Sequence, residues 1–92
     1  MIVLFATLFS SCRKATSTGT IEFVSNSAYP YAVYIDGIFQ DELPGYSYQY
    51  YTVHSGYHEC RVIQQTGYIV APVDEYFDVD VYEGNQVVVS FP

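Results

Sequence analysis

Apolar and polar residues alternate along most of this chain, and short turn signals interrupt the alternation. A period of two is typical of a β-strand with one buried face, whereas no stretch after Thr18 keeps a helical period for three turns. The alternating segments are Ile21 to Ser25, Tyr31 to Ile35, Tyr46 to Val53, Tyr57 to Gln64, Phe77 to Tyr82 and Gln86 to Phe91. The pattern therefore predicts a small all-β domain.

Two turn signals predict the connections between neighbouring strands. Asp36-Gly37 favours a two-residue hairpin turn, because glycine accepts the positive φ that such a turn demands. Ser55-Gly56 predicts a second, antiparallel hairpin, in which the loop length fixes the register so that Tyr50 faces Arg61. The expected core face of this hairpin carries Tyr51, Val53, His58, Cys60 and Val62, and its other face carries Tyr46, Tyr48, Tyr50, Thr52, Glu59 and Arg61.

The same alternation predicts which side chains form the core. A chain of this size buries only about 60% of its unfolded surface, so we expect a single modest core. Buried positions are expected at Val33, Ile35, Val53, Val62, Phe77, Val79, Val89 and Phe91. Exposed positions are expected at Tyr48, Tyr50, Asp78 and Asp80.

The N-terminal segment differs from the rest, because Ile2 to Phe9 is a mainly apolar run that leads into Ser10-Ser11-Cys12. It is too short to span a bilayer, which needs about 20 residues, but it suits the apolar region of a cleaved secretory signal. The segment resembles the lipobox of bacterial lipoproteins, and this resemblance implies that Cys12 is diacylated and becomes the new N-terminus. The alternatives are an ordinary secretory signal with an incidental cysteine, or a buried first strand.

This interpretation divides the chain into a signal peptide at residues 1–11, a lipidated Cys12 with a polar tether at residues 12–18, and one domain at residues 19–92. The expected location is the cell envelope, with the lipid on Cys12 inserted in a membrane. Surface-displayed lipoproteins of some Gram-negative groups have an acidic run just after the cysteine, and Arg13-Lys14-Ala15-Thr16 lacks one. The resemblance therefore implies an outer-membrane anchor that faces the periplasm.

Charge and cysteine content narrow the range of partners. The formal net charge is −7, the ten acidic residues all follow Thr18, and Arg61 is the one basic residue of the predicted domain. Such a domain repels nucleic acid phosphates, so we expect no DNA or RNA partner. If Cys12 is acylated, Cys60 has no partner in the chain and should be a buried free thiol, with an intermolecular disulfide as the alternative.

Several short motifs occur in sequence along the predicted domain. They are Gly19-Thr20-Ile21, Phe23, Ser25, Val33-Tyr34-Ile35-Asp36-Gly37, Leu43-Pro44, Val53, Gly56, His58, Cys60, Val62 and Gly67-Tyr68. Together they resemble the PEGA domain, a small β-sandwich of bacterial surface and periplasmic proteins, over residues 19–92. Ser27-Ala28-Tyr29-Pro30 stands where that family has Pro-Glu-Gly-Ala. The resemblance implies an antiparallel β-sandwich with a structural or interaction role and no enzymatic activity.

Two clusters of ionisable residues could suggest a metal or catalytic site. They are His54, His58, Glu59 and Cys60, and the acidic series Asp74, Glu75, Asp78, Asp80 and Glu83. The predicted hairpin places the two histidines on opposite faces, which favours a structural histidine beside a buried thiol over a zinc site or a Cys-His nucleophile. The acidic series follows strand alternation and lacks the glycine-bent loop of a calcium hand. We therefore expect no catalytic residue, metal or cofactor.

The candidate binding surface is a stripe of Tyr46, Tyr48 and Tyr50 with Arg61 opposite Tyr50. Exposed aromatic side chains can stack on sugars or anchor a protein partner, although tyrosine also favours strands for structural reasons alone. The expected function is that of a membrane-anchored cell-envelope lipoprotein acting as a non-catalytic structural or protein-interaction module. A carbohydrate-binding module that uses the tyrosine stripe is the alternative, and a small hydrolase is disfavoured.

Overall fold

The computed structural model describes residues 17–92. The expected signal peptide, the lipidated Cys12 and all but the last two residues of the tether lie outside this range. The described chain forms seven strands: β1 (Thr18–Ser25), β2 (Tyr31–Ile35), β3 (Ile38–Leu43), β4 (Tyr48–His54), β5 (Gly56–Gln64), β6 (Asp74–Val81) and β7 (Gln86–Phe91). The all-β prediction is confirmed. Within residues 17–92, no helix is long and apolar enough to cross a membrane.

The seven strands form two sheets. One sheet has three strands in the order β4-β1-β7, and the other has four in the order β3-β2-β5-β6. Four of the five strand pairs are antiparallel, and β1 runs parallel to β7. The apolar faces of the two sheets meet in one core, to which both sheets contribute fully buried aromatic side chains, namely Phe23, Phe91 and Tyr31.

The predicted hairpin across Ser55-Gly56 is wrong. β4 pairs with β1 in the three-stranded sheet, whereas β5 pairs with β2 and β6 in the four-stranded sheet. The chain crosses from one sheet to the other at Gly56, whose φ of 124° is open to glycine and strained for other residues. A polar residue followed by glycine occurs both at such corners and in hairpin turns. The Ser55-Gly56 pair alone therefore could not distinguish the two.

The other predicted hairpin is confirmed. Asp36 and Gly37 have φ values of 54° and 80°, and Ile35 pairs with Ile38 across the turn between β2 and β3. Positive φ at both central residues matches the twist of the flanking strands. β3 extends from Ile38 to Leu43, and the β2–β3 register shifts once, between Val33 and Tyr34.

Six of the eight predicted core positions are buried, and the four predicted exposed positions are exposed. The two exceptions, Val53 and Phe77, are half-buried. Both lie on edge strands, β4 and β6, where the core opens between the sheets and one flank of each side chain lacks a covering strand. Alternation predicts the direction of a side chain but not how completely its neighbours cover it.

Gly19 allows β1 to sit close to the turn between β6 and β7. A Cβ atom at this position would clash with the side chain of Val81 and the backbone oxygen of Tyr82. The approach is fixed by two hydrogen bonds: the Thr20 amide donates to the Asn85 carbonyl at 3.0 Å, and the Gly84 amide donates to the Thr18 carbonyl at 2.9 Å. These contacts tie the start of the domain to its last turn.

Candidate functional site

The outer face of the three-stranded sheet carries the two strand tyrosines of the predicted stripe, and we call it the tyrosine face. The registers place its side chains in three rows across β4, β1 and β7. These rows are Tyr48, Val24 and Ser90; Tyr50, Glu22 and Val88; and Thr52, Thr20 and Gln86. Alternation along β1 turns Ile21 and Phe23 inward, so the same strand that fills the core presents this face to solvent.

Tyr48 and Tyr50 dominate this face. Their side chains are 60% and 51% exposed, and their rings meet edge to face, with centroids 5.6 Å apart and planes 74° apart. The Glu22 carboxylate, across the strand from Tyr50, raises the pKa of the Tyr50 hydroxyl through its negative charge. The Gln86 side chain donates a hydrogen bond to the same carboxylate at 3.2 Å. The face therefore combines apolar rings with a small number of oriented polar groups.

Tyr46 does not continue the stripe. It precedes the start of β4 and has a φ of 52°, so strand alternation does not extend to it. Its amide donates to the Ser27 carbonyl at 2.9 Å, which fixes it in the turn between β3 and β4, and its side chain is 74% exposed. β4 thus begins at Tyr48, two residues later than the strand that the sequence pattern predicts from Tyr46.

Arg61 lies on the other sheet, and its predicted place opposite Tyr50 is wrong. It pairs with Tyr34 on β2 and with Tyr76 on β6, because β5 belongs to the four-stranded sheet. Its guanidinium donates two hydrogen bonds to Asp74, at 2.9 Å and 2.7 Å, and lies 4.9 Å from the centre of the Tyr76 ring. These contacts raise the pKa of Arg61 and lower that of Asp74, so the charge is matched locally.

The two sheets differ strongly in charge. Among the described residues, Glu22 is the one charged side chain in the three rows of the tyrosine face. The other nine acidic residues are in the four-stranded sheet or in turns: Asp36, Asp41, Glu42, Glu59, Asp74, Glu75, Asp78, Asp80 and Glu83. A partner that approaches the tyrosine face therefore desolvates few charges, which lowers the cost of burying it.

The histidine and cysteine cluster has a structural arrangement. His58 contacts Asp36 through Nδ1 at 2.6 Å and the His54 carbonyl through Nε2 at 2.7 Å, so both ring nitrogens are engaged. Cys60 is completely buried, and burial, with a smaller effect from Asp36, raises its pKa to about 12. A thiol with this pKa is not a nucleophile near neutral pH. Among residues 17–92, no three potential metal ligands come together.

Two grooves between the sheets were not predicted. One, of about 290 Å³, lies between the β2–β3 end and β4, and the Tyr51 hydroxyl beside it is buried with no partner in the described chain. The other, of about 740 Å³, runs between β6 and β7, and we call it the β6–β7 groove. Alternation predicted these strands but carries no information on which of them lie at sheet edges, and edges decide where grooves form.

No family model matches this chain, and no characterised protein matches it closely enough to count as a relative.

Proposed function

We propose that this protein is a lipid-anchored lipoprotein of the cell envelope whose PEGA-like domain is a non-catalytic protein-interaction module. The tyrosine face is its docking surface. The observation that carries the proposal is the exposure of Tyr48 and Tyr50, each more than half exposed, on a sheet face that has one charged residue. Tyrosine is enriched at protein interfaces because its ring has one large apolar body and one polar tip.

The energetics of this face suit reversible docking. Each tyrosine ring offers a large apolar area, and interface aromatics of this kind are frequent hot spots when a partner covers them. Val24 lies beside Tyr48 in one row, and Val88 lies at the end of the next row, on the other side of Glu22 from Tyr50. Glu22 lies at the centre of the face and supplies the directional contact that fixes the orientation of a partner.

The state of the ionisable groups supports a non-catalytic role. His58 has both ring nitrogens hydrogen-bonded, Cys60 is buried with a raised pKa, and Arg61 is paired with Asp74. A general base or nucleophile must reach its substrate with a free atom. The groups that could do such chemistry are thus engaged in holding strands together.

The proposed anchor explains how such a small module would meet its partner. Cys12 and Thr18 are six residues apart, a span of at most about 20 Å when extended. A domain held this close to a bilayer samples a thin layer of the envelope, which raises the effective concentration of partners in the same layer. The acidic domain is repelled by anionic headgroups and so remains off the surface.

Capture of a partner from envelope extracts tests the proposal. The immobilised full chain should capture at least one envelope protein, and a Tyr48→Ser/Tyr50→Ser variant should lose it with a decrease in affinity of about tenfold or more. Tyr82→Ser is the matched control, because Tyr82 is 65% exposed but lies outside the tyrosine face. Arg61→Gln is a second control and should bind as the wild type does. Equal capture by the double variant and the wild type would refute the assignment of this face.

A carbohydrate-binding function is the second candidate, and one observation favours it. The Glu22 carboxylate lies beside Tyr50 and accepts a hydrogen bond from the Gln86 amide on β7, so sugar hydroxyls could bind these polar groups while a sugar face stacks on the Tyr50 ring. The edge-to-face arrangement of Tyr48 and Tyr50 gives one stacking surface and not a flat pair. A glycan array probed with the wild type and the double variant decides: glycan binding that the double variant loses would put this function first.

A further inference from the structure

The β6–β7 groove lies between two free sheet edges. Within the described chain, β6 pairs with β5 alone and β7 pairs with β1 alone. The groove has a volume of about 740 Å³ and is lined by the stretches 76–80 and 87–90. Phe77 and Val87 are half-buried in it, whereas Val79 and Val89 beside them are buried. The core is thus open on this flank, over a length that one extended segment could cover.

Among residues 17–92, no strand pairs with the outer edge of β6, and the backbone groups on that edge face this groove. The Asp36 amide donates to the Glu59 carbonyl, so residue 59 of β5 directs its backbone groups toward β2. Because successive residues alternate, Cys60 directs its groups toward β6 and meets Phe77 there. It follows that the N–H and C=O groups of Tyr76, Asp78 and Asp80 point away from β5, into the open edge.

The opposite edge of the same sheet is protected in its middle, whereas β6 has its one inward charge at its start, where Glu75 stands opposite the buried Val62. β3 has a register shift against β2, and Asp41 stands opposite the fully buried Val33. Irregular register and charges on the inner side of an edge strand both prevent strand addition. β6 keeps continuous register with β5 from Gly56 to Ile63, and its stretch from Tyr76 to Asp80 contains no proline and no inward charge.

We infer that β6 is a strand-addition site for an extended segment of another protein that has lysine or arginine at alternate positions. Asp78 and Asp80 are exposed on the outer face of the edge strand, where a paired strand would place its own outward side chains. Opposite charges at such positions stabilise the pair. The inward side chains of the segment would be apolar and would cover Phe77 and Val87. This site is distinct from the tyrosine face and does not rest on the function proposed for it.

A second copy of this chain fits the same edge poorly. A β6 strand paired with another β6 strand would place Asp78 and Asp80 of one copy against acidic residues of the other, and like charges directly opposite are destabilising. The net charge of −7 adds repulsion over a longer range. Charge therefore selects a basic partner segment over self-association.

Fluorescent peptides added to the full chain in neutral detergent micelles test the inference. A ten-residue peptide that alternates lysine and valine should bind, with affinity that falls as salt increases, and a glutamate-valine peptide should bind at least about tenfold more weakly. A lysine-valine peptide that is N-methylated at alternate residues cannot donate to the edge and should also bind at least about tenfold more weakly. Equal binding of the three peptides, or no binding of the first, would overturn the inference.

Hydrogen exchange locates the binding. The amides of Tyr76, Asp78 and Asp80 should exchange rapidly in the free protein and become protected when the lysine-valine peptide is added, while amides of the tyrosine face stay unchanged. Protection of these three amides without peptide, together with a doubled mass, would show self-association and contradict the proposed occupant.

A proline variant separates backbone pairing from charge. Asp80→Pro removes one N–H from the open edge, and Asp80→Ala removes the same charge but keeps the N–H. The proline variant should bind the lysine-valine peptide at least about tenfold more weakly than the alanine variant. If the proline variant does not fold, the N-methylated peptide makes the same comparison on the intact protein. Equal affinity of the two folded variants would contradict strand addition.

Discussion

His58 and Asp36 form an ion pair that also reaches the opposite sheet. The Nδ1 atom of His58 lies 2.6 Å from Oδ2 of Asp36, and its Nε2 atom lies 2.7 Å from the carbonyl oxygen of His54. A carboxylate and a carbonyl are both acceptors, so this arrangement favours the imidazole that carries a proton on both ring nitrogens and is positively charged. Asp36 also accepts a hydrogen bond from the Glu59 amide at 3.0 Å. The pair joins the turn after β2 to the last residue of β4.

The stability of the domain should decrease as the pH rises above neutrality. Burial opposes the charge on His58, but the His54 carbonyl and the Asp36 carboxylate outweigh it and raise the pKa of His58. The stabilisation is therefore complete below the unfolded pKa of about 6.5 and is lost as the pH rises through the higher folded value. Urea midpoints measured from pH 5 to 9 should show this decrease in the wild type, and a His58→Gln variant should lose it.

The same pair should weaken at low pH. Burial tends to raise the pKa of Asp36, but the His58 ring and the Glu59 amide lower it overall. The contribution of Asp36 is thus complete above about pH 3.9 and is lost as the pH falls through the lower folded value. An Asp36→Asn variant should have a flatter stability profile than the wild type between pH 2 and 4. A profile that is the same in both proteins would contradict the role of this carboxylate.

The two phenylalanines Phe23 and Phe77 should differ in their contribution to stability. Phe23 is completely buried on the central strand β1, and Phe23→Ala should lower the free energy of unfolding by about 3 to 5 kcal/mol. Phe77 is half-buried at the edge, so Phe77→Ala should cost about half as much. Urea denaturation of both variants makes the comparison. Equal losses would mean that Phe77 is covered in solution, for example by a bound segment.

Cys60 should react with thiol reagents only when the domain unfolds. It is fully buried, and burial raises its pKa to about 12, so the reactive thiolate is scarce and shielded. In a Cys12→Ser variant, which leaves Cys60 as the one cysteine of the chain, maleimide labelling should be slow in buffer and fast in urea. Rapid labelling of the folded protein would place the thiol at an accessible surface and contradict the packing of β5.

Cys12 should determine membrane attachment. Two acyl chains suffice for stable anchoring while one does not, so a Cys12→Ala variant should be soluble or remain an unprocessed precursor. A Cys60→Ala variant is the matched control and should stay in the membrane fraction. Protease added to intact cells should spare the protein if it faces the periplasm. Wild-type protein found free in the medium after loss of residues 1–11 would contradict the anchor.

The prediction from sequence succeeded where structure depends on local pattern. Alternation predicted the β class, the inward direction of Val33 and Val62, and the exposure of Tyr48 and Tyr50. It failed where pairing depends on distant segments. The corner at Gly56 has the same residue types as a hairpin turn. The strand pairing that places β4 beside β1 joins residues as far apart in the sequence as Thr18 and His54.

The candidate site was predicted in part for the same reason. Tyr48 and Tyr50 share a face because both lie on one strand, which a period of two is enough to show. Arg61 was assigned to that face from a predicted pairing of β4 with β5. That pairing is wrong, and Arg61 lies on the other sheet, opposite Tyr34. The β6–β7 groove depends on which strands end a sheet, and a single sequence contains no direct signal of sheet order.

The parallel pairing of β1 with β7 has a consequence for how the protein is made. β1 is the first strand and the centre of its sheet, and its partner β7 is the last, with Thr20 opposite Gln86. Until the final strand arrives, β1 lacks one neighbour and the core lacks Val89 and Phe91. Contacts between such distant segments form slowly, on a scale of milliseconds to seconds. The core of such a chain therefore stays incomplete until its final strand has been synthesised.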